Sequence, residues 1–143
     1  MKISSILSRK GSSVATIHRD AMVSEVIAEL GSHGIGALVV SDDGEHIDGI
    51  VSERDVVRGL ATSGPSLLDN PVSSIMTREV FSSGPDGDTE ALMGVMTERR
   101  IRHVPIVEDD RLCGIVSIGD FVKSRIDELE KDRKELVEYI NAR

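Results

Sequence analysis

An internal duplication constrains the fold of this chain more than any other feature of its sequence. A Gly-Ile-Val-Ser-x-x-Asp segment occurs twice, at Gly49–Asp55 and at Gly114–Asp120, with an offset of 65 residues. Two further pairs of matching segments precede it in the copies: Ile35–Val40 with Ile101–Ile106, and Ser4–Leu7 with Ser73–Met76. The chain therefore contains two structural repeats of one kind, which extend to about residue 125 and are followed by a tail.

Both repeats show the same order of hydrophobic patterns. For the first we predict a strand, a helix, two strands and a helix capped by Ser52, at 14–17, 22–30, 37–40, 46–51 and from 53. For the second the corresponding elements are 80–82, 92–96, 103–107, 112–116 and from 118. A single small unit of this kind is only marginally stable, so two copies should pack together.

The predicted fold class is α/β (α+β), with two β-α-β-β-α motifs packed sheet to sheet with pseudo-twofold symmetry and a long C-terminal helix. The predicted boundaries are 1–68 for the first repeat, 69–125 for the second and 126–143 for the C-terminal amphipathic extension.

Charge and composition argue against several classes of function. With a formal net charge of -8, the chain lacks the broad cationic face that general nucleic-acid binding requires. A single cysteine, Cys113, cannot form an internal disulfide, and no Cys/His spacing is typical of a metal site. No apolar run approaches the roughly 18 residues of a membrane span. We expect a cytoplasmic protein without a targeting signal, membrane segment or bound metal.

Each repeated Gly-Ile-Val-Ser-x-x-Asp segment lies where a predicted strand turns into a helix. By spacing alone, Ser52 with Asp55 and Ser117 with Asp120 are typical of a capping box, in which the acid is the third helical residue. An acid in the first helical turn also suits the helix dipole. Spacing therefore favours a capping role, although a binding role can coexist with it.

A cationic cluster precedes the first strand of the second hairpin. Its members, Arg99, Arg100, Arg102 and His103, lie within five residues of each other. Such clusters usually lie on a solvated surface. Because this cluster runs from a helix end into a buried strand, we expect Arg102 or His103 to point into a cleft between the repeats. Arg54 is a weaker candidate, equally suited to a solvent-facing position.

The element order, the duplicated segment and the sequence Arg-Ile-Arg-His-Val-Pro-Ile-Val at 100–107 together resemble a stand-alone pair of cystathionine beta-synthase (CBS) domains, or Bateman module. The resemblance covers about residues 1–125. It implies a regulatory module, not an enzyme, that binds an adenosine nucleotide and acts on a separate protein. The implied ligand is AMP, ADP or ATP, with NAD as a further candidate, and no catalytic cofactor is implied.

The resemblance also implies roles for particular residues. In the family, the aspartate of the Ser-x-x-Asp motif accepts hydrogen bonds from ribose hydroxyls, while the serine and the helix-start amides face the phosphate. The hydrophobic-x-Pro element at Val104 and Pro105 shapes the adenine slot, although a proline in a strand also marks an edge strand. The predicted ligand contacts are Ser82, Ile101, Arg102, His103, Val104, Pro105, Ser117 and Asp120 in the second repeat, and Thr16, Ile35, Gly36, Ala37, Ser52, Arg54 and Asp55 in the first.

The two repeats are unequal. Gly36, Ala37 and Val39 stand in the first repeat at the positions that Arg102, His103 and Pro105 occupy in the second. We therefore expect the first-repeat cleft to be roomier, less cationic or empty, and we rank the second-repeat site above it.

The tail shows near-heptad spacing of apolar residues, at Val122, Ile126, Leu129, Leu136 and Ile140. This pattern predicts a long amphipathic helix, and Arg133 interrupts its seam, which favours packing on a second subunit or on the module itself. We expect a homodimer. Two alternatives stay open: a structural dimeric adaptor whose ligand sites have decayed, and an enzyme acting on a nucleotide.

Overall fold

The computed structural model describes residues 1–142 and contains two α/β units. The helices are α1 (Ile3–Lys10), α2 (Val23–His33), α3 (Glu53–Ser63), α4 (Thr89–Arg99) and α5 (Ile118–Asn141). The strands are β1 (Thr16–Ile17), β2 (Ala37–Val40), β3 (Gly49–Ser52), β4 (His103–Glu108) and β5 (Arg111–Ser117). Two 3-10 helices, Gly64–Asp69 and Val72–Ser74, belong to the connector between α3 and α4. This architecture confirms the predicted fold class. No helix within residues 1–142 is long and apolar enough to cross a membrane.

The first unit contains a three-stranded sheet with β2 in the middle. β2 runs parallel to β1 and antiparallel to β3, and Val39 lies opposite both Thr16 and Ile50. All four residues of β2 are buried, as expected for an unbroken apolar run. β3 begins at Gly49 and not at His46, because the carboxylate of Asp43 accepts hydrogen bonds from the backbone amides at 45 and 46 and holds them in a turn.

The second unit contains a two-stranded sheet, the antiparallel pair β4 and β5. The strand predicted at 80–82 was wrong, since only Ser83 pairs with β4, through an isolated parallel bridge to Ile106. The ladder cannot extend in either direction because the amide positions that would continue it are Pro85 and Pro105, which carry no N–H. The third strand is therefore reduced to a single bridge.

Each unit has its own hydrophobic core, and each core is completed by a segment from outside its sequence repeat. Val72, which lies in the second sequence repeat, belongs to the core of the first unit, together with Leu67 from the end of the first repeat. Ile3 and Ile6 of α1, a helix that the sequence patterns did not predict, belong to the core of the second unit. The predicted boundaries therefore mark the two copies in the sequence. That each copy is also a structural domain with these limits stays a prediction.

The tail forms one continuous helix with the last element of the second unit. α5 starts at Ile118, buries Phe121 in the core and continues to Asn141, which confirms the predicted long C-terminal helix. From Ile126 onward its apolar side chains are about half exposed. Arg143, the last residue of the predicted tail, lies outside the described residues.

Gly49 and Gly114, which open the two repeated segments, each pack closely against a segment that is distant in sequence. A Cβ at Gly49 would lie 2.8 Å from Sδ of Met76 and 2.9 Å from the carbonyl oxygen of Thr77. A Cβ at Gly114 would lie 2.6 Å from Cδ2 of Leu7. Leu7 and Met76 are themselves equivalent in the duplication, so the contact is made twice.

We expect Gly49→Ala to lower the free energy of unfolding by about 1–3 kcal/mol, because its Cβ overpacks against a backbone carbonyl that cannot rotate away. Gly114→Ala should cost less, since its Cβ meets only the flexible side chain of Leu7. Urea unfolding measures both. Gly94→Ala in α4 is the control, where a Cβ meets nothing within 4 Å and alanine should stabilise the helix. Equal losses at Gly49 and Gly114 would contradict the expectation.

Candidate functional site

A cavity of about 460 Å³ lies between the two units. Residues 36–37, 52–55, 79–81 and 99–103 line it, together with Ile50, Arg58 and Thr77. The wall thus contains the start of β2, the junction of β3 with α3, the connector before α4 and the segment that joins α4 to β4. The volume falls within the range that is usual for small-molecule sites.

Ser52 and Asp55 cap the start of α3 at the cavity wall. The backbone amide and the hydroxyl of Ser52 donate to Oδ2 of Asp55 at 2.8 Å and 3.1 Å, and the amide of Asp55 donates back to the serine hydroxyl at 3.4 Å. The predicted capping role is confirmed. Within residues 1–142 no group donates to Oδ1 of Asp55, so one carboxylate oxygen is left available to a ligand.

Five arginines line the same cavity: Arg54 and Arg58 on α3, and Arg99, Arg100 and Arg102 at the end of α4 and before β4. All five are exposed. In the part of the chain that the structure describes, the arginines that pair with carboxylates are other ones, so these five guanidinium groups have no ion-pair partner. The cavity therefore presents unneutralised positive charge in an acidic protein.

A left-handed residue at the end of α4 sets the path of residues 99–102, which contain three of the five arginines. Arg100 has a φ of 57° and closes the helix. Next to it, the guanidinium carbon of Arg99 lies 4.8 Å from the centroid of the Phe81 ring, within the range of a cation–π contact. On the other side, the carbonyl of Arg102 accepts a hydrogen bond from the amide of Ile118 at 2.9 Å. Both ends of the segment are thereby anchored.

His103 lies where the two units meet. A Cβ on Gly36 would lie 3.2 Å from Cε1 and 3.3 Å from Nε2 of His103, so the missing side chain at Gly36 makes room for the imidazole. Burial lowers the pKa of His103 below its ordinary value, and the charge of Lys10 acts in the same direction. The ring is therefore mainly neutral at pH 7.

Ser117 and Asp120 form the equivalent cap at the start of α5, but their surroundings differ. The amide of Ser117 donates to Oδ2 of Asp120 at 2.8 Å, and the ammonium of Lys10 donates to the same oxygen at 2.6 Å. Partial burial opposes ionisation of Asp120, but the hydrogen bonds from Lys10 and Ser117 outweigh it and hold its pKa below the usual range. Neither Ser117 nor Asp120 lines the 460 Å³ cavity.

The structure groups the predicted residues differently from the sequence. Arg102 and His103, which the sequence placed with Asp120, line the cavity together with Ser52 and Asp55. Of the three alternatives expected for the first-repeat cleft (roomier, less cationic or empty), a less cationic wall does not agree with the structure, because the packing of the two units brings the arginines of the second repeat to the Ser-x-x-Asp motif of the first. The ranking of the two sites by ligand affinity stays a prediction.

The remaining predicted contacts divide between the cavity wall and other positions. Those in the wall are Gly36, Ala37, Arg54 and Ile101; those outside it are Thr16, Ile35, Ser82, Val104 and Pro105. Val104 and Pro105 are buried in β4, directly after the lining residue His103. Val104 belongs to the core of the second unit.

Sequence reasoning missed several residues of the site. Arg58, Thr77, Glu79 and Phe81 line the cavity, and Lys10 holds Asp120. One signal was present: the match of Ser4–Leu7 with Ser73–Met76 extends to Lys10 and Glu79, which places both at the same position of the repeat. Arg58 follows Asp55 by less than one helical turn and carried no comparable signal.

Comparison with known proteins relates the chain to one family. The model of the CBS domain matches residues 3–62 and 72–127. The crystal structure of the CBS-domain protein ATU1752 from Agrobacterium tumefaciens is 43% identical, with a TM-score of 0.85 over 87% of this chain and 99% of that one. The mitochondrial CBS domain-containing protein CBSX3 of Arabidopsis thaliana is 35% identical over 85% of this chain, which spans 61% of its length.

Two solved relatives contain adenosine compounds. The CBS domain protein PAE2072 from Pyrobaculum aerophilum is complexed with AMP; it is 26% identical, with a TM-score of 0.75 over 84% of this chain and 89% of that one. The CBS domain pair of protein MJ0100 is in complex with 5′-methylthioadenosine and S-adenosyl-L-methionine; it is also 26% identical, with a TM-score of 0.77 over 86% of this chain and 98% of that one.

The lowered pKa of His103 predicts a loss of stability in mild acid. The unfolded chain takes up the proton near pH 6.5, whereas the folded chain resists it, so the free energy of unfolding should fall as the pH drops below about 6.5 and level off below the folded-state pKa. Lys10 and Arg102 lower this pKa, whereas Glu53 and Asp120 raise it. Urea unfolding between pH 8 and pH 5 checks the effect. His103→Gln should reduce the slope, and an unchanged slope would contradict the assignment.

Proposed function

Because the chain belongs to the CBS domain family, we propose that it is a non-catalytic regulatory module that binds an adenine nucleotide, AMP, ADP or ATP, in the cavity at the start of α3. One observation carries the proposal: a partly free carboxylate, a helix N-terminus and five arginines without ion-pair partners converge on a single cavity. A nucleotide presents a diol and an anion, which are the two groups that this arrangement complements.

The ribose is recognised by Asp55. A carboxylate only accepts hydrogen bonds, and a vicinal diol offers two donors, so Oδ1 of Asp55 is a suitable partner. Oδ2 is held by Ser52, which fixes the orientation of the carboxylate before the ligand arrives. Preorganisation of this kind reduces the entropic cost of binding.

The phosphate is recognised by the helix start and the arginines. The amides of Glu53 and Asp55 donate to the carbonyl of Gly36 and the hydroxyl of Ser52. Within residues 1–142 the amide of Arg54 therefore remains available at the start of α3, where the helix dipole also favours an anion. Arg54 and Arg58 approach from the same helix, while Arg99, Arg100 and Arg102 approach from the second unit. Guanidinium groups bind phosphate oxygens in a bidentate manner, so a ligand would join the two units through its charge.

The charge of the cavity favours a phosphorylated ligand over a cationic one. Five arginines face three carboxylates, those of Glu53, Asp55 and Glu79, and His103 is mainly neutral. A positively charged sulfonium compound would lie in a field of its own sign, whereas a mono- to triphosphate neutralises it. We therefore favour nucleotides over S-adenosyl compounds for this cavity.

The regulatory output must be carried by contact with another protein. Ligand binding between the two units changes the free energy of their relative arrangement, and a partner that contacts both units can respond to it. The structural adaptor is the second candidate, because α5 offers an exposed apolar surface that needs no ligand. Nucleotide binding distinguishes the two candidates.

Asp55→Asn should weaken nucleotide binding by about tenfold to more than a hundredfold, corresponding to roughly 1.5–3 kcal/mol for the lost charge-assisted hydrogen bonds. Asp120→Asn removes the same group from the same motif in the other repeat and should change the affinity less. Isothermal titration calorimetry with AMP, ADP and ATP measures both. A larger loss from Asp120→Asn would support the sequence-based ranking and overturn the assignment of the cavity.

The same titrations need a control for turnover. Incubation with ATP, AMP and NAD, followed by analysis of the products, should return each compound unchanged. Conversion of any of them would contradict the non-catalytic proposal and favour an enzyme acting on a nucleotide.

The apolar side of α5 predicts a homodimer. Ile126, Leu129, Leu136 and Ile140 are 49%, 52%, 59% and 60% exposed, which is costly for large aliphatic side chains in water. Light scattering at micromolar concentration should give twice the monomer mass of 15.5 kDa. The double variant Leu129→Glu and Leu136→Glu should shift the population to monomer, whereas Glu135→Gln should not. A monomeric wild type would contradict the expectation.

A further inference from the structure

The ammonium of Lys10 lies between Ile115 and Asp120, whose counterparts in the first repeat, Ile50 and Asp55, both line the cavity. Its ammonium donates to Oδ2 of Asp120 at 2.6 Å and to the carbonyl oxygen of Ile115 at 2.8 Å. The Lys10 and Asp120 side chains are 32% and 23% exposed, so the pair is partly shielded from water. The charge of Asp120 is thereby neutralised within the chain.

The two copies differ because their leading segments follow different paths. In the first copy, the helix ends at Ser74, and Thr77 exchanges two backbone hydrogen bonds with Ile50, both of 2.9 Å. In the second copy, α1 remains helical as far as Lys10. No backbone partner from that segment then reaches Ile115, the equivalent of Ile50, and the lysine ammonium bonds its carbonyl instead.

The residues at the equivalent positions also carry opposite charges. The duplication pairs Lys10 with Glu79, and Glu79 lines the cavity without an ion-pair partner within residues 1–142. A glutamate cannot neutralise Asp55, so that carboxylate stays free for a ligand. A lysine neutralises Asp120, and it also uses two of its three donors in doing so.

We propose that Lys10 is the residue that makes the two sites unequal: it closes the Asp120 site, so that each chain binds one nucleotide, at Asp55. A nucleotide that approached this carboxylate would meet a charge that Lys10 already compensates, and displacing the ammonium to reopen the position between Ile115 and Asp120 would cost both of its hydrogen bonds. Phosphate gains little attraction from Lys10 because Asp120 already compensates its charge. This inference rests on the proposed function for the choice of ligand, but it concerns a different site.

The test is the stoichiometry of nucleotide binding by isothermal titration calorimetry, with AMP and ATP as probes. Wild type should bind one nucleotide per chain. Lys10→Gln should add a second site, and the site already present should keep its affinity within about twofold. Lys10→Glu, which copies the residue found at Glu79, is a second variant for the same measurement. Arg9→Gln is the matched control, since Arg9 lies on the same helix and pairs with Asp127, away from the motif.

The double variant Lys10→Gln with Asp55→Asn separates the two hypotheses. It should retain one nucleotide per chain, bound at Asp120, while Asp55→Asn alone should show binding weakened at least tenfold. Two nucleotides on wild type, or a single site in both Lys10 variants, would overturn the role of Lys10 and leave the proposed function standing. No binding to wild type together with one site in Lys10→Gln would overturn the proposed function and support the role of Lys10. If neither protein binds a nucleotide, both proposals fail.

Discussion

The structure depends on an exchange of short apolar segments between its two units. Ile3 and Ile6 from the N-terminus complete the core of the second unit, and Val72 from the start of the second repeat completes the core of the first. A unit of about 60 residues buries too small a fraction of its surface to be secure alone. Because each core needs a segment from outside its own repeat, the two units stabilise each other and their relative placement is constrained.

That placement creates the cavity and decides its chemistry. The first repeat supplies a capped helix start with a partly free carboxylate and two arginines, and the second supplies the three arginines at and after the end of α4. Neither set alone distinguishes a nucleotide from other ligands, since a capping aspartate is common and exposed arginines bind many anions. Together they present hydrogen-bond acceptors for a diol and positive charge for a phosphate at one site. The function proposed here is therefore a property of the interface between the repeats.

The same exchange breaks the symmetry of the duplication. The helix of the first copy ends at Ser74 and Thr77 pairs with Ile50, whereas the longer helix α1 carries Lys10 to Asp120. Two nearly identical motifs thus have different environments: the aspartate of one faces an open, cationic cavity, and the charge of the other is compensated by an internal ion pair. A duplicated sequence motif does not by itself define two equal sites.

The sequence alone determined the fold class, the two repeats, the long last helix and the capping role of both Ser-x-x-Asp motifs. These features depend on hydrophobic periodicity and on contacts within a few residues, which one chain displays directly. The predicted strand at 80–82 failed because Pro105, distant in sequence, lies at the position that would have to donate to it. Only the tertiary structure decided that Arg102 and His103 join Asp55 and that Lys10 joins Asp120. The first grouping spans the interface between the units, and the second joins α1 to α5 inside the second unit across 110 residues of sequence. Both depend on how distant segments pack together, a global constraint that no local pattern encodes.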